Sequence, residues 1–116
     1  MSKPLGPYSP VVRAGDFVIV SGQGGIADGA IVDGGVAAQT TQTMANLAER
    51  LAEAGCTLGD VVKTTCFLTD MDTFATFNAA YAEAFGDHRP ARSTVEVSAL
   101  PAGMAVEVEA WAYKPV

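Results

Sequence analysis

Apolar and polar residues recur along the chain at periods of two and of about 3.6, and these periods divide it into strand-like and helix-like segments. Val11-Val12 and Phe17-Val18-Ile19-Val20-Ser21 flank the turn signal Ala14-Gly15-Asp16, which predicts a β-hairpin closing at Gly22. A loose loop follows, containing Gly24, Gly25, Asp28, Gly29, Asp33, Gly34 and Gly35, with room for a short strand at Ala30-Ile31-Val32. From Val36 to Ala54 there is no Gly or Pro. Met44, Leu47, Leu51 and Ala54 recur there at helical spacing and Gly55 supplies a stop, which predicts a long amphipathic helix. Val61 to Leu68 is β-branched and apolar on both alternations, as expected of a central strand covered on two sides. Asp72 is placed to cap a second helix whose Phe74, Phe77, Tyr81 and Phe85 line one face before Gly86. Those aromatics are assigned to the core.

The last two segments alternate cleanly. Thr94, Glu96 and Ser98 oppose Val95 and Val97, while Glu107, Glu109, Trp111 and Tyr113 oppose Val106, Val108, Ala110 and Ala112. Leu100-Pro101-Ala102-Gly103 turns between them. The order ββ(β)αβαββ defines an α+β fold whose two helices cover one face of a single sheet. The other face carries Thr, Ser, Glu, Trp and Tyr, and is either solvated or packed against copies of itself.

Composition favours packing. The 116 residues, read as one domain over 1–116, are 49% hydrophobic and 17% charged, with a mean hydropathy of +0.24. That is too apolar for disorder, and it leaves apolar surface that a monomer would expose. The longest bulky apolar run, Phe17 to Val20, is far short of the roughly 18 residues a membrane span requires. With no secretory signal pattern at the N-terminus, the expectation is a soluble, cytoplasmic protein without a membrane partner. Seven Lys+Arg against 13 Asp+Glu give a net charge of −6, which repels phosphate backbones and disfavours nucleic acid as a partner. Cys56 and Cys66 have neither CxxC spacing nor clustered His, so they are expected as buried thiols, with no metal site.

A few residues could carry chemistry. Glu107 and Glu109 are two apart on one strand face, roughly 7 Å between Cα atoms, and Glu96 is expected on the same kind of face nearby. Crowded carboxylates shift pKa values towards the general-base range, although a solvated acidic strand edge accounts for the alternation equally simply. Arg92, with Arg89 close by, offers a planar fork of donors for a carboxylate; a surface ion pair is the plainer alternative. His88, the only histidine, has no nucleophile at motif spacing and is expected as a solvated loop residue. Gly22-Gln23-Gly24-Gly25 follows a strand but lacks the lysine and glycine order of phosphate loops. These observations alone leave the chemistry open.

Four stretches together resemble the reactive intermediate deaminase family, also called the YjgF or L-PSP family. They are Gly6-Pro7-Tyr8-Ser9; Val20-Ser21-Gly22-Gln23; Asp60 through Met71; and Arg89-Pro90-Ala91-Arg92-Ser93-Thr94-Val95-Glu96-Val97 followed by Val106-Glu107-Val108-Glu109-Ala110. The resemblance runs from about Leu5 to Ala112. It implies a chorismate-mutase-like sheet, a homotrimer with sheets packed into a central barrel, and active sites in clefts between subunits. The implied reaction is cofactor-independent hydrolysis of 2-imino or enamine acids, such as 2-iminobutanoate and 2-iminopropanoate, to 2-oxo acids and ammonia. By position, the resemblance gives Arg92 as the clamp for the substrate carboxylate and Glu107 as the carboxylate that orients or activates water. It places Tyr8, Ser21, Asn78 and Thr94 at the cleft.

Three departures stand out. Thr94 occupies a position where many members carry cysteine, Gly24-Gly25 stands where proline is common, and Trp111 replaces an aliphatic residue. The second is expected to loosen a loop near the cleft and the third to alter core or interface volume. Two other functions remain open. A non-catalytic metabolite-binding or regulatory module would need the clamp but not the water-handling carboxylate. An endoribonuclease, as some members are labelled, is opposed by the charge of −6.

Overall fold

The computed structural model describes residues 4–116. A hairpin of β1 (Val11–Ala14) and β2 (Phe17–Gly24) leads into a small ribbon, β3 (Ile26–Ala27) and β4 (Ala30–Ile31). Helix α1 (Gly35–Glu53), strand β5 (Val61–Leu68), helix α2 (Phe74–Phe85), strand β6 (Ala91–Glu96) and strand β7 (Val106–Tyr113) complete the chain. The main sheet has the order β1-β2-β7-β5-β6. Only β5 and β6 run parallel, because α2 provides the crossover that a parallel connection requires.

Both helices pack on one face of this sheet, as the α+β reading expects. Val18 and Val20 of β2, Cys66 and Leu68 of β5 and Val106 to Ala112 at alternate positions of β7 are buried against Met44, Leu47 and Leu51 of α1 and Phe77, Tyr81 and Phe85 of α2. Leu47 is fully buried in the middle of this layer. Leu47→Ala should therefore lower unfolding free energy by about 2–5 kcal/mol, measured by chemical denaturation, since the helix and sheet can only partly close the cavity.

Four local expectations change. Strand β5 is covered on one side only: Val61, Thr64, Cys66 and Leu68 are buried, whereas Val62 is exposed and Lys63, Thr65 and Phe67 are half-buried. Its second apolar alternation belongs to the open face. The capping residue is Asp70, not Asp72. A 3₁₀ turn, Met71–Thr73, precedes α2, and the Asp70 carboxylate accepts the Asp72 N–H at 2.9 Å, while α2 itself starts after Thr73 without a side-chain cap.

In β6 the period of two holds but its phase is inverted. Thr94 pairs with buried Cys66 and Arg92 with buried Thr64, so Arg92, Thr94 and Glu96 share the helix side while Val95, 43% exposed, lies on the open side. An edge strand with an open apolar face beside it does not need its valine under the helices. Finally, Gly24-Gly25 is tightly packed rather than loosened. Both residues are buried, a Cβ on Gly24 would overlap Met104 Sδ, and one on Gly25 would lie 2.6 Å from Gln39 Cα.

The open face carries Phe17, Trp111 and Tyr113 in edge-to-face contact, with Phe17–Trp111 and Phe17–Tyr113 centroids 5.9 and 5.3 Å apart. Trp111 is 42% exposed, so its bulk adds to this face and not to the core. Cys56 and Cys66 are buried free thiols. No helix among the described residues is long and apolar enough to cross a membrane.

Candidate functional site

The residues singled out by sequence fall into two clusters. The first surrounds a cleft of about 670 Å³ that includes Tyr8, Gly22, Met104 and Glu107 in its walls. Glu107 stands on the open side of β7, between its partners Gly24 on β2 and Phe67 on β5. The register of β2 on β7 shifts between Val20 and Gln23, and this irregularity brings Gly22 against the glutamate. A Cβ at Gly22 would lie 2.5 Å from Glu107 Cδ, so only glycine admits the carboxyl group here. Burial, reinforced by the nearby charge of Glu109, raises the Glu107 pKa above the ordinary carboxylate value of 4.5.

Ser21 and Tyr8 shape the same region. Ser21 Oγ donates to Ser9 O at 2.7 Å and the Ser21 N–H donates to Pro10 O at 2.9 Å, which pins the N-terminal segment to β2. Tyr8, in that pinned segment, accepts the Leu5 N–H at its hydroxyl at 3.2 Å and presents an exposed ring to the cleft.

The second cluster lies on the helix side, at the sheet edge. The Arg92 Cζ is 4.9 Å from the ring centre of Tyr81, 5.5 Å from Phe74 and 5.7 Å from Phe77. Such placements are cation–π contacts. Arg92 forms no ion pair among the described residues. Asn78 Oδ1 from α2 and Thr94 Oγ1, two residues along β6 from Arg92, are buried without hydrogen-bond partners. Beside an unpaired guanidinium, the Thr94 hydroxyl is free to donate to a ligand carboxylate, whereas Asn78 Oδ1 is an acceptor and suits a ligand N–H. Burial raises the pKa of the neighbouring Cys66, keeping it a thiol and not a nucleophile.

Within one chain the two clusters do not converge. Arg92 pairs with Thr64 and Glu107 with Phe67, three residues apart on β5, so the two side chains occupy opposite faces of the sheet. Glu96 is separated from Glu107 in the same way; its Oε1 accepts the Met71 N–H at 2.7 Å, which makes it a turn-stabilising residue, and Glu109 is the carboxylate whose charge acts on Glu107. His88 is half-buried and held in place, not free in a loop. Its Nε2 lies 2.7 Å from Val61 O and its ring packs on Phe85. Arg89 donates to the carbonyls of Gly86 and His88 after the end of α2.

Two features escaped sequence reasoning. The aromatics of α2 were assignable to the core by their spacing, yet three of them also surround Arg92. Arg50 is 3% exposed and paired at 2.7 Å with both Glu49 and Glu53, closing the last turn of α1 beside the cleft; the i,i+3 spacing of Arg50 and Glu53 was its only signal.

One mixed sheet with both helices on a single face, and with its open face rich in aromatic and acidic residues, defines an α+β class of small domain. The family model described as Endoribonuclease L-PSP matches residues 1–114. The chain is 47% identical over 114 residues to a RutC family protein of Pyrococcus horikoshii, covering 97% of this chain and 90% of that one. It is 44% identical over 108 residues to the 2-iminobutanoate/2-iminopropanoate deaminase of Mus musculus, covering 91% of this chain and 80% of the mouse protein. The crystal structure of the YjgF gene product from E. coli superposes with a TM-score of 0.89 at 41% identity, covering 95% of this chain and 90% of that one. The chain belongs to the reactive intermediate deaminase family, the YjgF or L-PSP family.

Proposed function

We propose that this protein is a cofactor-independent deaminase that hydrolyses 2-imino and enamine acids, 2-iminobutanoate and 2-iminopropanoate among them, to 2-oxo acids and ammonia. The observation that carries the reading is the division of labour across the sheet: a carboxylate-free arginine on one face and a glutamate of raised pKa on the other. Each is half of a site. A homotrimer joined through the open faces, with Glu109, Trp111 and Tyr113 near the contacts, would complete each site with Arg92 of one copy and Glu107 of the next. The deaminase name of the mouse relative supports the same activity.

In this reading the substrate carboxylate docks on Arg92 and the Thr94 hydroxyl, with Asn78 Oδ1 left to accept from the substrate nitrogen. Glu107 takes a proton from a water molecule as the water oxygen bonds to C2 of the imine. The protonated imine thereby becomes a neutral carbinolamine, which receives that proton at nitrogen; as the C–N bond breaks, Glu107 takes the hydroxyl proton, the C2–O bond becomes the carbonyl of the 2-oxo acid, and the departing ammonia carries the proton off Glu107 as ammonium. An imine is already an activated electrophile, so placement of water and charge suffices without a strong nucleophile or cofactor.

The test is 2-oxo acid and ammonia release when the purified protein meets 2-iminobutanoate generated in place by a dehydratase. Acceleration over spontaneous hydrolysis is expected; binding of 2-oxobutanoate without acceleration would instead identify a metabolite-binding module. Sedimentation equilibrium at micromolar concentration should give three times the 11.9 kDa of one chain. A monomer would leave Arg92 and Glu107 on separate faces and would sink the shared site.

A further inference from the structure

A binding arginine must be held still without spending the donors that its ligand needs. A carboxylate partner would fix Arg92 but occupy and neutralise its fork. Here the guanidinium meets three aromatic rings on α2, with Tyr81 nearest at 4.9 Å. Ring faces attract the cation yet accept none of its in-plane N–H bonds. Phe74, Phe77 and Tyr81 are spaced so that the helix presents them together, on the side facing β6.

The Tyr81 ring is itself fixed. Its hydroxyl is 2.7 Å from Thr64 Oγ1, in a buried hydrogen bond, and Thr64 is the register partner of Arg92 on the adjacent parallel strand. Burial raises the Tyr81 pKa, so the hydroxyl stays protonated and the anchor persists across the working pH range. Tyr81 also packs on Phe77 and Phe85, with centroids 5.6 and 4.9 Å away. The chain of contacts therefore runs from β5 through Tyr81 to the guanidinium.

We propose that Tyr81, anchored by Thr64 and joined by Phe74 and Phe77, is a positioning residue that holds Arg92 with its donors free for a substrate carboxylate. This rests on the reading of Arg92 as the carboxylate clamp. The rings act on binding and placement of the acid, not on the proton transfers at Glu107.

The experiment compares Tyr81→Phe, Tyr81→Leu and Phe74→Leu with the wild-type protein and with Arg92→Ala. Steady-state kinetics on 2-iminobutanoate generated in place are combined with titration of 2-oxobutanoate and with thermal melts. Tyr81→Leu and Phe74→Leu should raise KM and the Kd of 2-oxobutanoate by roughly 2- to 30-fold, the range of a cation–π contact, while kcat moves by less than about twofold. Tyr81→Phe keeps the ring and should restore binding to within about threefold of wild type. Phe74 is 38% exposed, so Phe74→Leu leaves the core intact and carries the test even where Tyr81→Leu melts early. Unchanged KM and Kd in folded Phe74→Leu and Tyr81→Leu would overturn the positioning role while leaving the clamp in place. Wild-type affinity for 2-oxobutanoate in Arg92→Ala would overturn the clamp itself, and the positioning role with it.

Discussion

Arg92→Lys will lower kcat/KM on 2-iminobutanoate by on the order of 10- to 100-fold, although the charge is kept, because a charge-assisted hydrogen bond is worth about 1.5–3 kcal/mol and lysine cannot offer two parallel ones. The environment sharpens this expectation. Lysine would replace a flat group that lies among Phe74, Phe77 and Tyr81 with a compact, strongly hydrated ammonium, so the ring contacts would no longer set its direction. Arg92→Ala should cost more, since the Thr94 hydroxyl would then be the remaining donor for the carboxylate in this cluster. Both variants are measured in a coupled 2-oxo acid assay, with folding checked by thermal melts. Arg92→Lys within about threefold of wild type would mean that Arg92 supplies charge without geometry. Full activity in Arg92→Ala would remove the clamp from the mechanism.

The elements were legible because burial on one side imposes a period on each of them. Met44, Leu47 and Leu51 mark α1, and Val106 to Ala112 mark β7, with no tertiary knowledge required. What sequence could not supply was phase and partnership. Val95 and Val97 looked like core residues on composition, but β6 is an edge strand, and its pairing with β5 turns Val95 to the open face and Arg92 to the helix side. A one-residue change of register would reverse every such assignment, and register depends on partners remote in the chain. The same reason hid the separation of Arg92 from Glu107. Each was nameable from its motif, yet their opposite facing follows only from the joint pairing of β6 and β7 with β5. Asp72 failed as the helix cap for a more local reason: a 3₁₀ turn intervenes, and Asp70 is the residue whose carboxylate reaches an unpaired N–H.

Glu107→Gln should keep the fold and the affinity for 2-oxobutanoate while slowing deamination by about 10²- to 10⁴-fold, the usual contribution of a positioned general base. Glutamine fits the space beside Gly22 that the glutamate fills, so shape is retained and only the base is lost. The pH dependence gives a second signature. Burial, then Glu109, raises the Glu107 pKa, so the acidic limb of the kcat/KM profile should lie above the ordinary carboxylate value of 4.5, and Glu109→Gln should move it down. Stability carries the same sign. A carboxyl whose folded-state pKa is raised binds its proton more tightly in the folded chain, so ionisation destabilises the fold as pH rises through the raised value, and that cost is absent below the unfolded value. Glu107→Gln should therefore raise the melting temperature slightly at pH 7 and lose that advantage at acidic pH, an increment kept small because the side chain is only half-buried. An unchanged turnover would pass the water-handling role to Glu109, since Glu96 is bound to the Met71 N–H on the other side of the sheet.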